Sequence, residues 1–188
     1  MIETKTCLFS IVILFLVLFS CKNSNIINCD FNEDIVLCIV KNFDEIEKKI
    51  HNEIWENEEK YRHFYNTEDE LFDILDENIF SDIKFNKIMF LKKYNNLINN
   101  IPEELNILFS EYSELIENGY KHYINFALYL QIVVVENIIK GNIDKEILGQ
   151  EIFEKLNKKN IFEIKSMLNK NDYNIINKNL DLIIKYLG

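Results

Sequence analysis

From about Asn32 onward, apolar residues recur at helical spacing: Val36, Val40, Phe43, Ile46, Ile50, Ile54, Tyr61 and Phe64 fall on one face. Asp44, Glu45, Lys48, Lys49, Asn52, Glu56 and Glu59 fall on the other. Apolar residues at i, i+3, i+4 and i+7 mark one face of an amphipathic helix. The pattern predicts one long N-terminal helix with Asn32 as its N-cap. The β-branched stretch 35–40 would also suit a strand, but no later stretch flanked by turn signals offers it a partner. Thr67-Glu68-Asp69-Glu70 has the form of a capping box and predicts a second helix over 68–78, with Leu71, Leu75 and Ile79 inward. Ser81-Asp82 reads as the cap of a third, carrying Ile83, Ile88, Leu91, Tyr94, Leu97 and Ile98. Pro102, with Glu103 and Glu104 beside the positive end of the helix dipole, opens a fourth through Leu105, Leu108, Phe109, Tyr112 and Leu115 or Ile116.

Residues 120–140 are the most apolar part of the chain beyond its first 20 residues, and Gly119 either caps the preceding helix or is crossed by a longer one. A helix apolar nearly all round belongs at the centre of a bundle or in a membrane. Lys121 and Glu136 bound the uncharged run, and its apolar stretch 126–135, which includes Gln131, is well short of the about 20 apolar residues a span requires, so a central helix is expected. Gly141 fits its C′ position. Further helices are expected over 144–158, 160–168 and 172–187. The sum is an all-α, single-domain bundle of seven or eight helices occupying 31–188.

Four Gly and one Pro leave little material for turns. The net charge is −10, and an acidic surface of this kind argues against nucleic acid, whose phosphates demand clustered Lys and Arg. It argues equally against peripheral binding to anionic lipid, and it would steer a basic protein partner inward. Cys29 and Cys38 are nine apart. Nine helical residues rise about 13 Å, too far for a disulfide, whose Cα atoms lie within about 7 Å, so Cys38 is expected as a small buried hydrophobe.

The chain shows no catalytic constellation, and no enzyme, cofactor or metal function is expected. His51, His63 and His122 are dispersed, and Glu59 and His63, four apart, read as a solvated helical pair rather than metal ligands. Gly119, Gly141, Gly149 and Gly188 are isolated, so no phosphate-cradling loop is present. Carboxylate pairs such as Glu58-Glu59 and Glu103-Glu104 carry little information in a chain with 31 acids. Trp55 precedes a run of acids; core packing is the commoner fate of such a residue, and a protein-binding anchor is the alternative. The expected partner-binding stretch is Trp55, Glu56, Glu58, Glu59, Glu68, Asp69 and Glu70.

Residues 1–20 read as an export signal. Its first six residues carry both Lys5 and Glu3, and 8–19 is broken only by Ser10, within the roughly 7–15 apolar residues of a secretory signal. Leu18-Phe19-Ser20-Cys21 resembles the lipobox of bacterial lipoproteins: an aliphatic residue three before, a small residue one before, then the acceptor cysteine. Phe19 is bulkier than most bacterial lipoboxes carry, though spirochaetal ones are looser. The resemblance implies cleavage before Cys21 and lipidation of Cys21, followed by a polar tether over 21–30. An ordinary signal peptide or an uncleaved anchor would leave Cys21 incidental; the abrupt change to Lys22-Asn23-Ser24 favours the lipoprotein. Cleavage would remove one Lys and one Glu and leave the charge unaltered.

On Leu18-Phe19-Ser20-Cys21-Lys22-Asn23-Ser24 and an Ile-, Asn-, Lys- and Phe-rich composition across the remainder, the chain resembles the borrelial outer-surface lipoproteins. In size and helical build it is most similar to the factor H-binding lipoproteins of relapsing-fever spirochaetes. That resemblance implies a lipid-anchored protein exposed on the cell outer membrane that binds a host plasma protein for complement evasion, factor H foremost and plasminogen in some members. It carries over no contact residue. A structural or periplasmic lipoprotein with a bacterial protein partner is the alternative.

Overall fold

Asparagine, rather than glycine or proline, punctuates this chain. The computed structural model describes residues 27, 29–109, 112 and 118–187. Within them lie ten α-helices and no strand: α1 Glu33–Lys41, α2 Phe43–Glu56, α3 Glu58–Phe80, α4 Lys87–Asn99, α5 Glu103–Ile107, α6 Gly119–Ile139, α7 Gln150–Glu154, α8 Lys158–Lys165, α9 Lys170–Lys178 and α10 Leu180–Leu187. Asn32, Asn86, Asn157 and Asn169 cap α1, α4, α8 and α9 by accepting a hydrogen bond from a first-turn amide. At Asn42, Asn57, Asn100 and Asn179 the side-chain amide donates to the carbonyl four residues back, at 2.8, 3.1, 2.7 and 2.8 Å. At Asn42, Asn57 and Asn179 the residue's own backbone amide donates to that same carbonyl, so the side chain adds a second bond to the last turn of the helix.

This corrects the expectation of one long N-terminal helix: Asn42 and Asn57 divide it into α1, α2 and the start of α3. Asn32 does cap α1, accepting from the Ile35 amide at 2.8 Å. Thr67 is not a cap either. It is buried inside α3, where its hydroxyl donates to the His63 carbonyl, because the residues before it are already helical and leave no free amide to cap. Ser81 ends α3 instead of opening the next helix. The Asn157 and Asn160 side chains donate to the Ser81 and Ile83 carbonyls at 2.8 and 2.7 Å and hold that link non-helical, so α4 starts at Lys87 and Ile83 and Ile88 stay outside the core. Pro102 is the residue before α5 rather than its first. The helices expected over 144–158 and 172–187 are each divided, at Gly149 (φ 75°) and at Asn179. Leu115, Ile116, residues 1–20 and Cys21 lie outside the described residues.

The central helix is where the apolar pattern placed it. In α6, Ile124, Phe126, Leu128, Tyr129, Ile132 and Val133 are fully buried, and α1, α5, α8 and α9 pack around it. By length and composition α6 could cross a membrane, yet most of it is covered by the rest of the fold. Gly141 follows it at φ 74°, as a C′ glycine does. Gly119, its first residue, is required by contact: a Cβ there would lie on the Phe109 side chain, 2.9 Å from Cδ2.

The chain is already docked at Ile27, upstream of the expected start of the domain. The Ile27 amide donates to the Met167 carbonyl at 2.8 Å; its carbonyl accepts from the Asn169 amide at 3.0 Å and the Tyr129 hydroxyl at 2.6 Å. Asp30 takes the left-handed conformation (φ 53°), which Asp tolerates better than most residues. The amides on either side of it, Cys29 and Phe31, donate to the two oxygens of Asp172 at 2.8 and 3.0 Å. Cys29 and Cys38 are both thiols; Cys29 is the buried one, and Cys38 is half-buried rather than the core residue expected.

Asp172→Ala would leave two buried amides without acceptors, at about 1–3 kcal/mol each. The expected outcome is a lower urea midpoint with an unchanged slope; an unchanged midpoint would show that this junction holds nothing. Gly119→Ala should also destabilise, by about 1–3 kcal/mol, because Phe109 has to shift.

Candidate functional site

The break at Asn57 produces a groove. The Tyr61 hydroxyl donates to Glu53 Oε1 at 2.9 Å, and the Asn57 amide donates to the same oxygen at 3.2 Å, which ties the end of α2 to the start of α3. Between these two helices and the first turns of α6 lies a concavity of about 940 Å³. Ile50, Ile54, Phe72, Tyr120 and Tyr123 supply its apolar lining, and Trp55 and Tyr65 stand at it as exposed aromatics, Trp55 with 77% of its surface free. Tyr120 is fixed from several sides: its amide donates to Asn106 at 3.1 Å, and its ring meets Phe64, Phe109 and Tyr123 with centroids 5.6, 6.0 and 5.9 Å apart.

The polar lining is acidic. Asp44, Glu47, Glu58, Glu68 and Asp69 are set against Lys48 and Arg62, and Arg62 is already 3.5 Å from Glu58. Glu68 lies deepest. Position 68 falls between Phe64 and Leu71 on the inward side of α3, so its carboxylate is half-buried and accepts from the Tyr120 hydroxyl at 2.8 Å. Burial pushes its pKa up to about 7; the Tyr120 hydrogen bond opposes the rise and the neighbouring Asp69 charge adds to it. Asp69 is raised as well, by burial and then by Asp73.

Of the residues expected to bind a partner, the fold brings Trp55, Glu58, Glu68 and Asp69 into this groove. It leaves Glu56, Glu59 and Glu70 on the exposed surface outside it, Glu70 ion-paired with Lys93. The expected core placement of Trp55 is corrected: it projects into solvent at the end of α2, with its ring 6.0 Å from His51. The residues that sequence reasoning missed are the floor. Tyr120 and Tyr123 were legible as aromatics one turn apart at the polar end of an otherwise apolar helix, but nothing in the sequence brings them to α2. Among the described residues, no group of three or more His, Cys, Asp or Glu gathers as a metal set would. Comparison of the chain with protein-family models, with characterised proteins and with solved structures finds no match.

A second polar cluster is structural. Glu136 accepts from Lys140 and Lys165 and from the Tyr173 hydroxyl, and though burial works against ionisation these donors hold its pKa down to about 2.

The two acids act on stability with opposite signs. Glu136, below its ordinary 4.5, stabilises the fold above that pH, and the contribution is lost as pH falls toward 2. Glu68, raised from 4.5 to about 7, favours the protonated folded state, so its contribution declines as pH rises between those values. Glu68→Gln keeps an acceptor for Tyr120 and does not titrate. Unfolding free energies measured from pH 5 to 8 should show the wild type losing stability relative to this variant; parallel curves would mean that Glu68 titrates normally.

Proposed function

We propose that this chain is a lipid-anchored lipoprotein of the bacterial outer surface whose helical domain captures a basic region of a host plasma protein, the complement regulator factor H being the first candidate. The groove between α2 and α3 is the observation that carries the reading. It joins an exposed tryptophan, a type of residue that dominates binding energy at interfaces, to an apolar floor and an excess of carboxylates. The net charge of −10 favours approach of a cationic partner.

Support for anchoring comes from Leu18-Phe19-Ser20-Cys21. Five residues lie between Cys21 and the docked Ile27, and the six steps of extended chain reach at most about 20 Å. A lipid on Cys21 would therefore hold the domain close to the bilayer, the placement expected of a short-tethered surface receptor. Brief protease treatment of intact cells tests exposure: loss of the domain supports it, and full protection places the domain inside.

The full chain, held on beads in mild detergent, should retain factor H from serum at low salt and release it as ionic strength approaches 1 M, where the Debye length falls to about 3 Å. Trp55→Ala should weaken retention by about tenfold or more, the 1.4 kcal/mol scale of an interface anchor, without moving the unfolding midpoint. No retention at low salt would overturn the factor H reading.

A further inference from the structure

We propose that the groove is a seat for one lysine or arginine side chain projecting from a basic protein segment, with Glu68 and Asp69 as its counter-charge and Tyr65, Phe72 and Tyr123 as its walls. The inference rests on the groove being the binding face, and it names what enters. Three observations converge on it. The groove is concave with an apolar lining, which suits the methylene stem of a long cationic side chain as well as its head. Aromatic faces attract such a head, most strongly where water is partly excluded.

The third observation is a missing partner. Glu68 is half-buried, with the Tyr120 hydroxyl as its hydrogen-bond donor, and neither Glu68 nor Asp69 takes part in an ion pair among the described residues. Arg62, the cation on the same helix nearest in sequence, is taken by Glu58. Lys48 lines the same groove but pairs with neither carboxylate, and five acids there face two cations, so Glu68 and Asp69 are left for an incoming ammonium or guanidinium to pair with. Anionic lipid, nucleic acid and acidic peptides meet repulsion at the same place.

Trp55 is the single tryptophan of the chain and stands at this groove, so its emission reports occupancy directly. The probe is the peptide Gly-Ser-Lys-Leu-Lys-Ser-Gly, blocked at both ends, titrated at constant pH and low salt into the full chain; the same peptide with both lysines acetylated is the control. The lysine peptide should give a saturable emission change and a matching calorimetric midpoint, and the acetylated one neither. Glu68→Gln and Asp69→Asn should each weaken binding at least fivefold, and Asp69, being exposed, tests the seat even if the Glu68 variant folds poorly. Glu59→Gln, the same charge change outside the groove, should alter affinity less than twofold.

The proposal is overturned if the acetylated peptide binds equally well, if the lysine peptide produces no Trp55 response, or if the groove variants bind no worse than Glu59→Gln. Peptide binding without any capture of factor H would keep the seat and remove only the factor H reading.

Discussion

A helix that is apolar on nearly every side can exist in water only if other elements cover it, and α6 imposes that demand on the whole chain. α1, α5, α8 and α9 each surrender their apolar stripe to it. The N-terminal segment closes what remains: Phe31 packs on Tyr129 and His122 at ring separations of 5.7 and 5.9 Å, and Asp172 fixes the two amides beside Asp30. Residues 141 and 143 positions apart in the sequence are thereby joined, which ties the first part of the domain to the last. Burial extends to both ends of α6, with Tyr120 and Ile138 at 1% and 2% exposure. Its first turns carry tyrosines rather than aliphatics, and these become the floor of the groove.

The sequence disclosed what periodicity can disclose. The buried helix around residues 120–140, the Asn32 cap, the C′ role of Gly141 and the all-α class all follow from hydrophobic spacing and local capping rules. The breaks did not follow, because spacing does not show them. An asparagine amide bonds the carbonyl four residues back inside α3 and α6 as well, at Asn78 and Asn137, so that bond alone does not mark a break; at Asn57 the Tyr61 hydroxyl on Glu53 accompanies it. In a chain so poor in Gly and Pro, Asn42, Asn57, Asn100 and Asn179 stand where helices end. Reading 32–64 as one helix placed α2 and α3 end to end, and so concealed the concavity that they share.

The same error explains why the candidate site was only half legible. Trp55, Glu58, Glu68 and Asp69 were singled out as an aromatic and its acidic neighbours, and the Asn57 turn brings them to one groove. Glu56, Glu59 and Glu70 share their composition but point elsewhere, since a helix distributes neighbours around its circumference. Glu68 differs from the other acids by environment alone: the apolar face of α3 and the Tyr120 ring withdraw it from water. A surface acid is cheap and says little, whereas a half-buried carboxylate beside a second one has an electrostatic cost that a cationic partner would relieve.

Radical footprinting of side chains, on the full chain alone and in complex with the protein it retains from serum, tests most directly whether this groove is the binding face. Trp55 and Tyr65 should lose reactivity in the complex, while Ile88 and Phe162, exposed outside the groove and 82% and 73% free, keep theirs. Protection of Ile88 or Phe162 with Trp55 still reactive would contradict the account and move the interface to another face of the bundle.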